Sequence, residues 1–340
     1  MLRSCRYATC LFPRRLYSTK PPKPPKVPAA LVGQLRKLVN VSLIKAREAL
    51  RASNNDVELA LQWLEKDLAV SGAAQAAKLE GRSAGEGVIS TVVLSKGAGS
   101  QSGGLRAAMV ELNCETDFVG RTENFSQLAD GIARTAAFLP EQDGAEAAFY
   151  ELPLDLLNNA PLMSESNNPW AWVTVENSIQ SLIAQVGEKI SLRRAVTINK
   201  DFSPEQGNHG LSLGTYNHGG STVNTQGRVG SLALLSLQSP KLPELLVSEA
   251  FTTNLTRLER SLARQIAGFP TTSITLSEGQ EPGTALYHQD FMMFPDYSTD
   301  KVEVALKKWG LAQGLVEGDV SVVGFKRWTV GEDLDAQTSN

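Results

Sequence analysis

Apolar residues recur at helical spacing through the first part of the chain. Between Ala29 and Gly72, three short runs place leucine, valine and alanine three or four positions apart, which predicts three consecutive amphipathic helices. Ser42 and Asn55 are typical N-cap residues at the predicted starts of the second and third helices, and Gly72 is expected to end the third. The pattern therefore predicts a small three-helix bundle that precedes a larger core.

After Gly72 the pattern alternates between strand-like and helix-like segments. A polar, alanine-rich linker, expected to be helical up to Glu80, is followed by two predicted strands, 88–95 and 105–112, which a glycine-rich connection joins. Further elements are expected in this order: helices at 122–139 and 179–186, a hairpin of 211–220 and 228–237, a helix at 251–266 and a closing strand at 320–333. The mixture of strands and amphipathic helices predicts an α+β core.

Residues 111–125, ELNCETDFVGRTENF, form a corner between a predicted strand and a predicted helix. Phe118 and Val119 lie in this corner directly after two carboxylates, Glu115 and Asp117, where a turn is normally polar throughout. Such an apolar pair either packs back into its own core or is offered to a partner. From composition alone, packing at home is expected in about two cases out of three, because single apolar residues near loops usually pack within their own fold.

The first 28 residues carry arginine, serine and threonine without any acidic side chain, and the first carboxylate of the chain is Glu48. This composition is typical of an organellar transit peptide, a cationic segment that is drawn toward a membrane potential negative inside. Arginines and Pro13 interrupt the apolar run that a secretory signal requires, and a disordered basic tail is the remaining alternative. The stretch PPKPPKVP then indicates an extended spacer. The leader predicts a mitochondrial matrix protein.

Composition argues against several classes of function. The 340 residues are 42% hydrophobic and 20% charged, and a formal net charge of −3 does not suit a nucleic-acid binder with a broad basic surface. No apolar run approaches the roughly 18 to 20 residues that span a bilayer. The few cysteines and histidines offer neither a disulfide framework nor the spacing of a zinc site, and no motif places a base beside Cys114. We therefore expect no cofactor, no metal and no covalent catalysis.

The corner at 111–125 also carries a family motif. Its segment NCETDFVGR closely resembles the NC-(Q/E)-TDFVA-(R/K) segment of the elongation factor Ts family, whose members exchange nucleotide on the translational GTPase elongation factor Tu. Other segments resemble family patterns in the same order: VGEKISLRR at 186–194, LSLGTYNHGG at 211–220 with RVGSLALLSL at 228–237, and VSVVGFKRWTVGED at 320–333. The resemblance covers most of residues 31–333. The chain lacks the helical hairpin of bacterial members and is in this respect similar to the mitochondrial ones.

The resemblance implies an α+β fold in two parts. An N-terminal three-helix bundle of ubiquitin-associated (UBA)-like fold would be followed by a two-lobed core of antiparallel sheets with covering helices. The corresponding division is a transit peptide and proline-rich spacer at 1–28, a UBA-like domain at 29–71, a linker at 72–87, a first core subdomain at 88–200 and a second at 201–340.

The resemblance also implies which residues would meet the GTPase. The wedge that enters the GTPase and dislocates its Mg²⁺ would consist of Thr116, Asp117, Phe118 and Val119. Docking contacts would come from residues on other family motifs: Arg36, Leu43, Ile44, Gly187, His218 and Gly219. Two of these have structural alternatives, because Gly187 is also the expected residue after a helix end and His218 is as often a satisfied structural residue. The loop at 39–42 lacks both glycines of the family pattern, which removes conformations of positive φ.

The implied function is that of a translation elongation factor that binds the GDP form of mitochondrial elongation factor Tu. It would promote exchange of GDP for GTP without covalent chemistry, nucleic-acid binding or membrane contact. A rival from another class is a ubiquitin-binding adaptor that uses the bundle at 29–71, where Val41, Leu43 and Ile44 would form an exposed apolar loop. The acid-free leader argues against this rival, because ubiquitin is not expected in the mitochondrial matrix.

Overall fold

The computed structural model describes residues 26–39, 41–98, 104–139, 148–163, 173–201, 208–220, 224–315 and 319–334. The chain divides into two compact units, of which the first ends at Asp67 and the second begins at Leu68. The predicted transit peptide lies outside the described residues up to position 25.

The first unit consists of helices α1 (Ala29–Leu38) and α2 (Leu43–Ala52) and the first part of α3 (Val57–Leu79). Ser42 caps α2 as predicted, since its side chain accepts a hydrogen bond from the backbone N–H of Lys45 at 3.2 Å. The three predicted helices are therefore present, and their UBA-like arrangement stays a prediction. The spacing correctly predicts several buried positions: Leu35, Ala46, Leu50, Ala60 and Leu64. Leu38 and Leu43, which share the predicted faces, are instead 57% and 43% exposed.

The prediction that Asn55 caps α3 is wrong. Asp56 is the cap, because its Oδ1 atom accepts from the backbone N–H of Leu59 at 3.0 Å. Asn55 instead terminates α2: it has a φ of 67°, and its N–H donates to the carbonyl oxygen of Leu50 at 2.7 Å. Asparagine tolerates the left-handed region that this turn requires. This explains why Asn55 ends α2 and the adjacent Asp56 caps α3.

The second unit contains the end of α3 and two antiparallel sheets. Its described strands are β1 (Glu86–Lys96), β2 (Leu105–Cys114), β3 (Tyr150–Glu151), β4 (Ile190–Lys200), β5 (His209–His218), β6 (Gln226–Gly227), β7 (Val229–Gln238) and β8 (Asp319–Thr329). The first sheet has the order β3-β4-β2-β1-β6, and the second has the order β5-β7-β8. The predicted strands are present within a few residues of their expected bounds, whereas β3, β4 and β6 were not predicted.

Helices cover the outer faces of both sheets. One apolar cluster lies between the first sheet and its helices, and another lies between the second sheet and its helices. This mixture of helices and antiparallel sheets confirms the α+β fold class. The helices of the first sheet are α4 (Asp117–Gly120), α5 (Glu123–Phe138), α6 (Leu154–Asn159) and α7 (Val175–Val186), and those of the second are α8 (Leu242–Val247), α9 (Glu249–Gly268) and α10 (Val302–Ala312).

The prediction that Gly72 ends α3 is wrong, because the helix continues to Leu79. A glycine inside a helix costs about 1 kcal/mol relative to alanine, but the alanine-rich sequence that follows favours continuation. The glycine permits a close approach instead, since a Cβ atom at Gly72 would lie 2.5 Å from the carbonyl oxygen of Gln180 in α7. Packing, and not termination, is therefore the reason for a glycine at this position.

A third apolar cluster joins the inner faces of the two sheets. It combines side chains from both: Ile89, Met109 and Ile198 with Leu213, Leu232 and Leu234. Strand β2 is consequently buried on both faces, since Val110 packs under the helices and Met109 packs against the second sheet. A strand buried on both faces has a nearly continuous apolar sequence, and LRAAMVEL fits this description.

A buried carboxylate joins three distant segments of the second unit. Glu111 of β2 has no exposed surface, and its oxygens accept from Nη1 of Arg193 at 3.1 Å and from Nε of Arg194 at 2.6 Å. The backbone N–H of Gly331 donates to the same carboxylate at 2.8 Å. Arg194 also donates to Glu332 at 2.8 Å. These contacts connect β2 and β4 with the chain just after β8.

We expect Glu111→Gln to lower the free energy of unfolding by about 3 kcal/mol, because it removes the counter-charge of two partly buried guanidinium groups. Urea unfolding followed by circular dichroism measures the change. Glu123→Gln alters an exposed carboxylate in the first turn of α5 and should change stability by less than about 1 kcal/mol. Equal losses in the two variants would contradict the structural role of Glu111.

A second buried carboxyl lies between α9 and β5. Glu259 is 4% exposed, and the hydroxyl of Ser212 donates to its Oε1 atom. Burial raises the pKa of Glu259 from 4.5 to about 7, while the hydrogen bond from Ser212 and the charge of Lys96 oppose this rise. The folded chain therefore holds this proton more tightly than the unfolded chain does.

Because the folded pKa of Glu259 is the higher one, its contribution to stability is complete below pH 4.5 and is lost as the pH rises toward about 7. A glutamine side chain imitates the protonated form, so the stability of Glu259→Gln relative to wild type should rise by roughly 2 to 3 kcal/mol between about pH 5 and about pH 8. Urea unfolding of both proteins at the two pH values measures this difference. A stability difference that does not depend on pH would contradict the raised pKa.

Candidate functional site

The corner between β2 and α5 contains a single helical turn, α4. Thr116 is its N-cap, and the Oγ1 atom of Thr116 accepts from the backbone N–H of Val119 at 3.4 Å. Across the turn, Arg121 pairs with Asp117 at 2.9 Å. Four residues cannot form a stable helix in isolation, so contacts with the rest of the fold determine where the side chains of this turn are directed.

The two apolar side chains of α4 differ in burial. Val119 is 8% exposed and belongs to the apolar cluster beneath α5 and α7. Phe118 is 81% exposed, the largest exposed fraction of any large apolar side chain in the described part of the chain. Val119 thus packs within the core of its own fold, and Phe118 projects into solvent. An aromatic ring presented in this way can become a central anchor when a partner covers it.

The turn after α7 is held to this corner by hydrogen bonds. Gly187 follows α7 in the left-handed conformation, with a φ of 76°, at the predicted helix end. Glu188 then binds Thr116 with both carboxylate oxygens: Oε2 accepts from the backbone N–H at 3.1 Å, and Oε1 accepts from the hydroxyl at 2.8 Å. In the opposite direction, the backbone N–H of Lys189 donates to Glu115 at 2.7 Å. The structure therefore brings the segments around Gly187 and Phe118 together.

His218 and Gly219 lie at the end of β5, and both are exposed. The carbonyl oxygen of His218 accepts from the backbone N–H of Arg228 at 2.7 Å, and the guanidinium of Arg228 pairs with Glu86. Glu86 lies opposite Cys114 in the ladder between β1 and β2. A short series of contacts therefore connects the end of β5 with the corner that carries Phe118.

The docking residues predicted in the first unit are of two kinds. Leu43 and Ile44, at the start of α2, are 43% and 69% exposed. Arg36, in the last turn of α1, instead donates from Nε to the carbonyl oxygen of Val41 at 3.1 Å, a contact with the loop before α2. Leu43 and Ile44 thus offer apolar surface, whereas Arg36 fixes the loop that precedes them.

Cys114 is unsuited to nucleophilic chemistry. Its side chain is buried, and the thiol donates to the carbonyl oxygen of Thr116 at 3.1 Å. Burial, together with the charges of Glu188 and Glu86, raises the pKa of this thiol from 9.0 to about 12, so that very little of it is thiolate at neutral pH.

The residues that the structure describes present neither a metal-binding cluster nor a membrane-spanning helix. These residues contain no cluster of three or more histidine, cysteine, aspartate or glutamate side chains that could hold a metal ion. Within the same ranges, no helix combines the length and the apolar character needed to cross a bilayer.

Several residues around the corner could not be singled out from sequence alone. Glu188 and Lys189 lie within VGEKISLRR, and the family resemblance of that string is the one signal that marks their neighbourhood. Gln226 lies in an insertion relative to the family pattern, yet its side chain donates to the carbonyl oxygen of Ser126 in α5 at 2.8 Å. No local pattern relates these positions to the corner.

Comparison with known proteins gives a consistent result. A family model described as Elongation factor TS matches residues 115–278. A protein from Laccaria bicolor named "Elongation factor Ts, mitochondrial" is 48% identical over 343 residues, covering 98% of this chain and 100% of the relative. A protein of the same name from Coprinopsis cinerea is 48% identical, covering 95% of this chain and 96% of its own length. A third, "Elongation factor Ts, mitochondrial 2" from Postia placenta, is 44% identical, covering 97% and 99% respectively.

Proposed function

The chain belongs to the elongation factor Ts family, and from this premise we propose that it is the guanine-nucleotide exchange partner of mitochondrial elongation factor Tu. It binds the GDP form of that GTPase and promotes exchange of GDP for GTP, without covalent chemistry or a cofactor of its own. The relatives are named mitochondrial, and the acid-free leader supports import into the matrix. The comparisons do not favour the rival function, a ubiquitin-binding adaptor.

One observation carries the proposal: Phe118 is 81% exposed on a turn that is capped by Thr116 and clamped by Glu188. An aromatic side chain on a fixed support is suited to insertion between two helices of a partner. Burial of the ring yields roughly 1.5 to 3 kcal/mol, which can hold those helices in a displaced arrangement. Val119 remains in the core and holds the turn against the apolar cluster beneath it.

The nucleotide site of the GTPase is the second part of the mechanism. A GTPase holds GDP through octahedrally coordinated Mg²⁺ and through backbone N–H groups that face the phosphates. Asp117 carries a carboxylate next to Phe118 and disturbs the polar network around the metal when the ring enters. Each ~1.4 kcal/mol removed from the release barrier accelerates release tenfold, so Phe118 contributes about one or two decades and the docking surface contributes the rest.

Dissociation of the factor follows from the same coupling. Because coupling between two ligands of one protein is reciprocal, the factor weakens nucleotide binding by the same free energy by which nucleotide weakens binding of the factor. Fresh nucleotide therefore expels the factor. Turnover needs no covalent step.

Docking involves both units in this proposal. In the UBA-like domain at 29–71, Leu43 and Ile44 contact the GTPase while Arg36 holds their loop in shape. A linker at 72–87 leads to the core subdomains at 88–200 and 201–340. In the core, exposed residues around the corner form a separate set of contacts with the GTPase: Gly187, His218 and Gly219. The mechanism requires no contact with nucleic acid or membrane.

We expect Phe118→Ala to reduce the stimulation of GDP release by at least about tenfold, because it removes the apolar burial that holds the displaced helices. Stopped-flow release of labelled GDP from mitochondrial elongation factor Tu measures the rate. Phe138→Ala is the control, since Phe138 is 50% exposed at the end of α5, away from the corner, and its loss should leave the rate unchanged. Unchanged exchange kinetics of Phe118→Ala in a folded protein would remove the wedge from the mechanism.

We expect Leu43→Ala and Ile44→Ala to weaken binding to the GTPase by about fivefold to tenfold each, because both side chains leave water on docking. Arg36→Ala should weaken it too, through the loop. Titration calorimetry gives the dissociation constant, and the maximal rate of GDP release should change by less than about twofold. Leu59→Ala is the control, as Leu59 is 52% exposed on α3 of the same unit. Dissociation constants equal to that of wild type would contradict docking through α2.

A further inference from the structure

The hydroxyl of Thr116 takes part in two hydrogen bonds with different roles. It donates to Oε1 of Glu188 at 2.8 Å and accepts from the N–H of Val119 at 3.4 Å. Because a hydroxyl has one proton, donation to the carboxylate fixes its rotation and leaves a lone pair directed at the helix N–H. The cap of α4 therefore depends on a carboxylate that is 72 residues away in sequence.

Glu188 also binds the backbone of the same residue. Its Oε2 atom accepts from the N–H of Thr116 at 3.1 Å, so both oxygens of one carboxylate hold the first residue of the turn. Hydrogen bonds to an ionised acceptor are about twice as strong as neutral ones. The other contact across α4, between Arg121 and Asp117, joins two largely exposed side chains and contributes little.

Glu115 forms the reciprocal contact, from the corner to the segment after α7. It accepts from the N–H of Lys189 at 2.7 Å and pairs with Arg82 at 3.3 Å. Glu115 thus ties the two segments together, whereas Glu188 acts on the N-cap itself. Removal of Glu188 would leave Val119 in the core but free the turn to rotate around it.

We propose that Glu188 is a positioning residue for nucleotide exchange, which holds α4 so that Phe118 is directed outward before the GTPase arrives. The inference rests on the proposed function. A ring that is already ordered loses little conformational entropy when it inserts, so the free energy of its burial acts on the partner. Without Glu188 the ring is present but poorly directed, and exchange slows although docking by other residues persists.

The test compares Glu188→Gln with Glu176→Gln in the full chain. Glu176 is an exposed carboxylate on α7, so the control makes the same chemical change on the preceding helix. A glutamine at 188 can accept only one of the two hydrogen bonds, and we expect the maximal rate of GDP release to fall about fivefold to tenfold. The concentration of factor at half-maximal rate should stay within about twofold, and the Glu176 variant should match wild type.

The second arm repeats Glu188→Gln in the Phe118→Ala background. If Glu188 acts through the ring, it causes no further loss once the ring is gone. Equal losses in both backgrounds would show that Glu188 acts elsewhere and would overturn the inference, as would a Glu188→Gln variant with the wild-type rate. A wild-type protein that does not accelerate GDP release would instead contradict the proposed function.

Two further measurements distinguish loss of the Glu188 contact from a general loss of structure. Amide hydrogen exchange of the free protein should accelerate at Val119 and Gly120, whose N–H groups bond to Thr116, in Glu188→Gln, with protection of β2 unchanged. Thr116→Val removes the hydroxyl and keeps the size of the side chain, and it should lower the maximal rate in the same Phe118-dependent way. Unaltered exchange at the turn in Glu188→Gln, or a wild-type rate for Thr116→Val, would overturn the inference.

Discussion

The core of the second unit depends on a charge that has no access to water. Glu111 lies on a strand that is buried on both faces, where an unpaired carboxylate would be strongly destabilising. Arg193, Arg194 and the N–H of Gly331 satisfy it, and these groups come from β4 and from the chain after β8. Because the buried carboxylate needs these partners, β2 is held to β4 and to the residues just after β8. This explains why the family-like segments, though far apart in sequence, meet in one part of the fold.

The corner that carries Phe118 follows directly on that buried strand. Three residues after Glu111, strand β2 ends at Cys114, and the thiol bonds to the carbonyl oxygen of Thr116 at the start of α4. The exposed ring of Phe118 is thus attached to the most buried strand of the fold through a very short connection. A partner that pushes against the ring meets a support that yields little, because close-packed interiors transmit strain instead of absorbing it.

The fold could be predicted from the sequence wherever the determining contacts are local. Many helix and strand positions follow from periodicity, although the long strand β4 was missed. Ser42 was identifiable because a cap acts within three residues. The choice between Asn55 and Asp56 depended on backbone φ angles, which adjacent polar residues do not reveal. Family resemblance marked the corner around Phe118, but its support by Glu188 is a contact between distant segments that no periodicity encodes.

Strand β6 makes completion of the first sheet depend on a segment that comes late in the sequence. Its residues 226–227 belong to the second half of the sequence, yet they pair with β1 at Ile89 and Ser90. A chain that emerges amino-terminus first, from a ribosome or from a translocation channel, exposes this edge of β1 until residue 227 has passed. Unpaired strand edges attract other strands. The first sheet is therefore complete only after residue 227 has appeared, long after β1 and β2.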